Sequence, residues 1–457
     1  MYSIHTFLLQ KELFRSSEPV KTSVVSSFTD TPALQQIARQ ADSDYILFYT
    51  GTSPIELHPY AIGRMYQIAE SNDGALFYSD YQEIRQGKKI HHPTLEYQTG
   101  SIRNDFDFGQ LLLFRNDSFQ QVVAQMNTDY RFAALYELRL SISRLGKIVH
   151  IPETLYTVQP TDLRLSGEKQ FDYVDPANRE VQLEMEAVCT AHLQAIGAWL
   201  APEFQRIDFG RENFAREASV IIPVRNRKRT IAEAVESALQ QQTDFSFNVI
   251  VVDNHSTDGT GQILTELSRR YPNLIHHIPA STELGIGGCW TEAILLPECG
   301  KFAIQLDSDD LYKDCHVLQR IVDTFYQENC AMVIGSYQMV DFKLEEIPPG
   351  LIAHREWTPD NGRNNALRIN GLGAPRAFYT PVLRQIKFPN VSYGEDYATA
   401  LAISRKYPIA RIYDPLYLCR RWEENSDHDL DIQQLNNYNF YKDKIRTLEI
   451  QARISGK

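Results

Sequence analysis

From Ala218 onwards, short apolar runs alternate with amphipathic helical segments, and this order restricts the possible folds more than any other feature. Strands are predicted at 219–223, 248–253, 274–278 and 302–306. Helices are predicted between them at 230–241, 260–271 and 288–295. Near-continuous apolar strands separated by helices form a parallel sheet that is covered on both faces. Ligands bind such sheets at the carboxyl ends of the strands, so we expect a functional site in the loops there.

Three of those loops carry polar residues, at 223–227, 253–259 and 307–310. The last is the acidic run Asp307-Ser308-Asp309-Asp310, directly after an apolar strand. Carboxylates two residues apart on an extended segment face the same way, so Asp307 and Asp309 can approach one cation. Mg²⁺ and Mn²⁺ prefer such oxygen ligands. The open alternative is a capping cluster, in which Asp310 begins a following helix.

Four motifs within residues 218–430 together resemble those of family 2 glycosyltransferases, whose fold is GT-A. The matching segments are Val220-Ile-Ile-Pro-Val-Arg-Asn226, Val251-Val-Asp-Asn-His-Ser-Thr-Asp-Gly259, Leu306-Asp-Ser-Asp-Asp310 and Gly394-Glu395-Asp396. The resemblance implies an α/β protein with a Rossmann-like, mostly parallel sheet. It also implies transfer of a sugar from a nucleotide-diphospho-sugar.

The same resemblance implies roles for individual residues at the donor site. Nucleotide-binding roles are expected for Pro223, Arg225, Asn226, Asp253, Gly288 and Asp307. Asp309, with Asp307, is the expected ligand of Mn²⁺ or Mg²⁺, which would neutralise a diphosphate leaving group. A turn-forming role for Asp253 stays open, as does an exposed Arg225. The glycine-rich loop at 285–291 lacks the arginine that many family members carry.

A carboxylate on the face opposite the leaving group can take the proton of the attacking hydroxyl. Asp396 is the expected base, with Glu395 beside it. Both acids also suit the N-terminus of the predicted helix at 397–405, and the two interpretations are compatible. Arg421 and Trp422 are expected to line the acceptor site, although ordinary core packing of Trp422 is an equal alternative.

An internal repeat links the two halves of the chain. Residues 44–53 repeat the strand at 301–310 without its acids, and later segments also match, up to Leu155-Tyr156 against Leu416-Tyr417. In that register Ala134 and Leu135 take the places of Glu395 and Asp396. We expect a smaller, degenerate GT-A-like domain that serves packing, dimerisation or acceptor binding. Chance similarity is the alternative, and the segment before residue 44 looks too short for nucleotide-binding strands.

The sequence thus predicts four regions. They are a degenerate domain at 1–160, a helical connector at 161–216, a catalytic GT-A domain at 217–430 and a helical tail at 431–457. The connector contains a predicted amphipathic helix over 175–199, with Asp175 as its cap and Pro176 in its first turn.

Bulk properties exclude several partners. A net charge of −12 argues against a nucleic-acid partner. No apolar run reaches 18 residues, which predicts no transmembrane segment, and the N-terminus lacks the features of a signal peptide. Six scattered cysteines without a CxxC pair fit reduced thiols, so we expect a cytoplasmic protein. Peripheral association with the inner face of the membrane and a homodimer both stay open.

The expected activity is therefore that of an inverting, metal-dependent glycosyltransferase. UDP-sugar is the expected donor, and the acceptor is a glycan, lipid-linked sugar or protein hydroxyl. A nucleotidyltransferase like the sugar-nucleotide pyrophosphorylases is one alternative, but it needs a glycine-rich basic loop and residues 223–229 contain no glycine. An inactive sugar-binding scaffold is the other, against which the intact Asp307, Asp309 and Asp396 argue.

Overall fold

The computed structural model describes residues 2–159, 178–422 and 431–456. Two compact units are present, each built on a nine-stranded mixed sheet. The first comprises Met1–Trp199, Leu367–Ile369 and Leu430–Lys457, and the second comprises Leu200–Ala366 and Asn370–Asp429. Both combine strands with helices, so the predicted α/β class is confirmed.

Among the described residues before 199, the first unit contains nine strands and five α-helices. Its strands are β1 (Ile4–Leu8), β2 (Phe14–Arg15), β3 (Lys21–Val24), β4 (Tyr45–Tyr49), β5 (Ile55–Leu57), β6 (Gly74–Arg85), β7 (Lys88–His92), β8 (Leu111–Arg115) and β9 (Lys147–Val158). Its helices are α1 (Thr31–Gln40), α2 (Ala61–Glu70), α3 (Asn116–Val123), α4 (Ala134–Leu145) and α5 (Arg179–Ala195). Helix α5 lies within the predicted connector helix, whose expected cap Asp175 and first-turn Pro176 lie outside the described residues.

The second unit contains the predicted alternation of strands and helices. Its strands are β10 (Ala218–Val224), β11 (Phe247–Asp253), β12 (Leu274–His277), β13 (Phe302–Gln305), β14 (Leu311–Tyr312), β15 (Met332–Val340), β16 (Glu346–Ile352), β17 (Arg376–Tyr379) and β18 (Ile409–Arg420). Its helices are α6 (Ile231–Leu239), α7 (Thr260–Arg270), α8 (Ile286–Leu295), α9 (Val317–Glu328), α10 (Gly362–Asn365), α11 (Thr380–Ile386) and α12 (Glu395–Ser404). The last helix, α13 (Ile432–Ile454), belongs to the first unit.

The two sheets have the same topology. The second unit has the order β12-β11-β10-β13-β17-β15-β18-β14, with β16 on β15. The first has β3-β1-β4-β8-β6-β9-β5-β2, with β7 on β6. From β3 and β11 as far as β5 and β14, each strand of one sheet has a counterpart in the other, as do β7 and β16, and neighbours run in the same relative directions. Strand β2, which pairs with β5, has no counterpart among the described residues of the second sheet.

A shared irregularity supports this equivalence. The ladder between β6 and β9 shifts its register at Asp80, and the ladder between β15 and β18 shifts at Ser336. Asp80 and Ser336 are equivalent in the sequence repeat. β-Bulges are specific features that related sheets retain at the same position. The shared bulge therefore indicates that the repeat is structural as well as sequential.

The expectation that the segment before residue 44 is too short for the strands found at 219–278 is wrong for two of those three strands. Strands β1 and β3 pair in parallel and occupy the positions of β10 and β11. They fit into so short a segment because residues 9–20, between β1 and β3, contain a single turn of 3₁₀ helix and the two-residue β2 where the second unit has α6. Among the described residues, the first sheet has no counterpart of β12.

Burial on both faces explains the centre of the second sheet. Val220, Ile221 and Ile222 of β10 have no exposed surface, and neither do the four apolar residues at 249–252 of β11. β-Branched side chains pack well on such a pleated surface. Helices α6 and α8 are among the elements that cover these strands, so the strand ends present their loops to solvent at one edge.

Gly300 tests how tightly the central strands pack. A Cβ atom there would lie 2.7 Å from the carbonyl carbon of Ala218, and backbone cannot yield as a side chain can. We expect Gly300→Ala to lower the free energy of unfolding by about 1–3 kcal/mol. Urea denaturation measures this. Gly210→Ala is the control because its nearest contact is an ordinary 3.4 Å, and an equal loss in both variants would contradict the prediction.

Candidate active site

Two loops of the second unit are tied to each other at the carboxyl ends of β10 and β11. The Asn226 amide donates to Ser256 Oγ at 2.9 Å, and the Thr257 amide donates to Asn226 Oδ1 at 2.8 Å. Asn226 has φ of 54°, a left-handed conformation that asparagine tolerates. Its side chain therefore holds the two predicted nucleotide loops together. Pro223 lies half-buried at the end of β10, and Arg225 is exposed.

Asp253 ends β11 and is almost fully buried. Its Oδ1 accepts from the Ser256 amide at 2.9 Å, and its Oδ2 lies 3.3 Å from His276 Nε2. Burial raises the pKa of this carboxyl, but the hydrogen bonds from His276 and Ser256 outweigh it, so the net pKa is lowered. Asp253 thus forms the turn of the alternative interpretation, and it stays ionised there.

Three carboxylates are crowded where β13 ends. Burial, and then repulsion by Asp307, raise the pKa of Asp309. Burial, followed by repulsion from Asp309 and Asp307, raises the pKa of Asp310 well above its usual range. In both cases the ionised form is disfavoured where it stands, because water is excluded and like charges are close.

The proposed capping role of Asp310 is wrong. Asp310 is followed by strand β14 and begins no helix. Its Oδ1 accepts from the backbone amide of Arg420 at 2.8 Å, which ties the acidic run to the end of β18. The Asp307 amide is likewise tied to β18, because it donates to the Tyr417 hydroxyl at 2.8 Å.

Trp422 lies against the acidic run Asp307–Asp310. Its indole Nε1 donates to Asp309 Oδ2 at 3.2 Å, and its ring meets Phe342 edge-on with centroids 5.3 Å apart. Arg227 Nε lies 3.7 Å from the same Asp309 oxygen, and its guanidinium is 5.8 Å from the Trp422 ring. The amide of Arg421 donates to Val340 O, within the sheet. Trp422 therefore contacts a proposed metal ligand directly, which ordinary core packing does not require.

Asp396 stands in the first turn of α12. Gly394 precedes it with φ of 78°, a conformation that favours glycine, and Glu395 begins the helix. Asp396 Oδ1 accepts from the Tyr397 amide at 2.7 Å. Its Oδ2 forms an ion pair with the guanidinium of Arg376, at the start of β17. The sequence patterns missed Arg376, because no motif contains it.

The glycine-rich loop has a packing reason for its composition. A Cβ on Gly288 would lie 2.2 Å from Asn390 Oδ1, and one on Gly287 would lie 2.0 Å from Pro389 O. These two glycines thus let the start of α8 approach the segment that leads into Glu395 and Asp396. The structure places Gly288 against protein, in a supporting position for the predicted base.

The carboxylates suit a divalent cation. Within residues 2–159, 178–422 and 431–456, no group of three or more His, Cys, Asp or Glu side chains is arranged to enclose a metal ion. Mg²⁺ is usually held by one or two carboxylates together with substrate phosphates and water. The mutual repulsion of Asp307 and Asp309 is relieved by a positive charge, so the pair fits a cation that arrives with a diphosphate.

Comparison with known proteins agrees with this geometry. Residues 219–386 match the family model of glycosyl transferase family 2. Residues 219–386 are thus similar to the glycosyltransferases of family 2. The matched segment begins in β10 and ends with α11, so it includes the nucleotide loops and the acidic run. The GT-A-type fold expected for this domain is borne out by the family match together with the α/β topology.

Individual relatives match parts of the chain. An uncharacterized glycosyltransferase of Nostoc sp. is 32% identical over 123 residues, which cover 27% of this chain and 37% of the relative. The poly(ribitol-phosphate) beta-glucosyltransferase of Bacillus spizizenii is 24% identical over 230 residues, or 49% of this chain and 35% of the relative. The chain therefore spans little more than a third of the length of either relative.

One solved structure is similar to this chain over about half of its length. The crystal structure of S. aureus TarS 1-349 in complex with UDP-GlcNAc has 23% sequence identity and a TM-score of 0.40, over 52% of this chain and 72% of that one.

A search of the helices in the described segments finds none of the length and apolarity needed to span a bilayer.

The crowded carboxylates of the glycosyltransferase domain predict a stabilising substitution. In metal-free protein at neutral pH, Asp310→Asn should raise the melting temperature by about 2 °C or more, because a neutral amide replaces a carboxyl whose pKa is raised in the folded state. The gain should shrink as the pH falls through that raised pKa towards the ordinary value of about 3.9, because the wild-type group then becomes neutral in the folded protein too. Scanning calorimetry across this pH range measures both effects.

Asp360 is the matched control for this measurement because its carboxylate is exposed. Asp360→Asn should leave the melting temperature unchanged. A destabilised Asp310→Asn variant at neutral pH, or a gain that grows on acidification, would show that the carboxylates are not under electrostatic strain.

Proposed function

We propose that this chain is an inverting, metal-dependent glycosyltransferase that moves a hexose from a UDP-sugar to a hydroxyl of a glycan or lipid-linked acceptor. The observation that supports it most is the joining of the acidic run to Asp396. Gln305 donates to Asp307 and accepts from Arg376, and Arg376 pairs with Asp396. Donor-side and base carboxylates thus belong to one connected site, in which Gln305, Asp307 and Arg376 lie within the matched residues 219–386 and Asp396 follows them in the chain.

In the proposed reaction the acceptor oxygen attacks the anomeric carbon, the bond from that carbon to the diphosphate oxygen breaks, and UDP leaves. Asp396 accepts the hydroxyl proton, which balances the charge. Attack on the face opposite the departing diphosphate inverts the anomeric configuration. Bound Mn²⁺ or Mg²⁺ would neutralise the departing diphosphate. Asp309 and Asp307 would hold it.

The remaining residues have supporting roles. Asp253 presents an ionised carboxylate at the end of β11, where it can accept from a base or ribose group, and Pro223 lies beside the same edge. Arg227, already 3.7 Å from Asp309, is placed to approach the diphosphate, whereas exposed Arg225 is the weaker candidate. Trp422 and Arg421 would form the acceptor side. We place the enzyme in the cytoplasm, and both its association with the membrane surface and a homodimer stay predictions.

The relatives suggest the acceptor class. One of them is named as a glucosyltransferase of poly(ribitol phosphate). A polyol-phosphate or glycan polymer of the cell surface is therefore the first acceptor to test. The choice of sugar is open to direct screening.

The donor site is tested by metal-dependent UDP release. Incubation of the full chain with UDP-glucose, UDP-N-acetylglucosamine, UDP-galactose and GDP-mannose, with and without Mn²⁺, should give slow release from a UDP-sugar that needs the metal. Asp309→Ala should lower this rate about 10²-fold or more, since it removes a charge stabiliser of the leaving group. A coupled UDP assay measures the rate.

Thr52 provides the matched control because it occupies the position of Asp309 in the first sheet. Thr52→Ala should leave the rate within about twofold of wild type, which is the expectation for a surface residue. Release that is independent of metal, or equal in wild type and Asp309→Ala, would contradict the proposed function.

A further inference from the structure

Two polar side chains interrupt otherwise apolar strands beneath the acidic run. Gln305 is the last residue of β13 and Arg376 is the first of the neighbouring strand β17. Gln305 is only 4% exposed. A buried amide costs free energy unless its donors and acceptors are all paired, so its hydrogen bonds show what it is for.

The hydrogen bonds of Gln305 fix its orientation. Its Oε1 accepts from the backbone N and the Nε of Arg376, at 3.1 and 2.9 Å. Its Nε2 donates to both carboxylate oxygens of Asp307, at 2.9 and 3.0 Å. The flipped amide would point two donors at donors and an oxygen at a carboxylate, so only one orientation satisfies the neighbours.

Arg376 continues this connection to the proposed base. Its Nε faces Gln305, and another nitrogen of the same planar guanidinium pairs with Asp396 Oδ2. A guanidinium presents its donors in a rigid fork, so the position of Asp396 follows that of Gln305. The result is a continuous polar bridge, Asp307–Gln305–Arg376–Asp396, which we call the carboxylate bridge.

The first sheet shows that the fold does not need this bridge. There Phe48 and Leu112 occupy the positions of Gln305 and Arg376, and they face each other across the equivalent strand pair. Both are buried. The two ends of the bridge are replaced as well, by Thr50 for Asp307 and Leu135 for Asp396. The same strand pairing thus forms with an apolar pair where the reacting carboxylates are missing.

We propose that Gln305 and Arg376 are positioning residues that set the distance and orientation between the donor-side carboxylate Asp307 and the base Asp396. This inference rests on the proposed function. The bridge holds both groups from below, while the acceptor hydroxyl and the anomeric carbon meet between them. A displacement of about 1 Å at such a site lowers the rate on the order of 10²-fold. By fixing both carboxylates, the carboxylate bridge prevents such a displacement.

The experiment measures steady-state UDP release from the preferred UDP-sugar in Mn²⁺, together with the affinity for UDP–Mn²⁺ by calorimetry. Arg376→Met should lower kcat about 10²-fold, while KM and the UDP affinity stay within about threefold because its partners Gln305 and Asp396 lie outside the nucleotide loops. Gln305→Leu should lower kcat about as much and should also weaken UDP–Mn²⁺ binding, because Asp307 loses both hydrogen bonds from the amide. The kcat of the double variant should be no lower than that of the less active single variant, since the two residues act as one unit. Arg376→Lys should recover part of the rate, because its charge still reaches Asp396.

Arg384→Met is the matched control. Arg384 is also a half-buried arginine of the second unit, and it donates to the carbonyls of Ile294 and Leu296, away from the carboxylates. It should lower the melting temperature about as much as Arg376→Met and leave kcat within about twofold, as expected for a loss of stability alone.

The outcomes separate the two proposals. A wild-type enzyme that releases UDP, with Arg376→Met and Gln305→Leu retaining wild-type kcat, overturns the positioning role and leaves the proposed function standing. An equal loss of kcat in Arg384→Met also overturns it, because destabilisation would then explain the effect. A wild-type protein that neither binds UDP–Mn²⁺ nor releases UDP contradicts the proposed function, and the inference falls with it.

Discussion

Repulsion among three carboxylates at the end of β13 is the constraint on which the second unit depends. Asp307, Asp309 and Asp310 follow directly after a fully buried strand. Burial and the charge of Asp307 raise the pKa of Asp309, and burial and the charges of Asp309 and Asp307 raise that of Asp310. Such an arrangement weakens the folded state unless something compensates it. The neighbouring strand β18 supplies part of the compensation, because the Arg420 amide donates to Asp310 and a hydrogen bond with Tyr417 lowers the pKa of Asp310. A divalent cation with a diphosphate would supply the rest.

The first sheet provides a comparison within the same chain. Its strands follow the same order and directions, and its ladder between β6 and β9 has a bulge where the ladder between β15 and β18 has one. What differs is the chemistry at the strand ends, where apolar residues and threonines replace the acids and their polar supports. Topology is thus shared, and we propose that function accounts for the polar residues at the strand ends of the second sheet. The first unit also includes the C-terminal helix α13. Buried Asp443 of this helix pairs with Arg103 and with Arg446 and so anchors the helix in that unit.

The sequence predicts much of this because its signals are local. An apolar run followed by acids predicts both the strand and the cluster, and Gly394 before two acids predicts the start of α12. Strand β3 escaped prediction because it is only four residues long and no α-helix separates it from β1. Gln305 and Arg376 were missed because they are 71 residues apart and meet only when β13 pairs with β17. The glycines at 287 and 288 have a packing role that only the position of residues 389–390 explains.

Under the proposed function, the second unit alone holds the reacting groups, and the cation binds at the end of β13. Co-crystallisation of the full chain with UDP and Mn²⁺, followed by an anomalous difference map at a wavelength where manganese scatters anomalously, tests this directly. One strong peak is expected within coordination distance of the Asp309 carboxylate and of the diphosphate, with none beside Thr50 or Thr52. A peak in the first unit, or UDP bound in the second unit without manganese at Asp309, would contradict it.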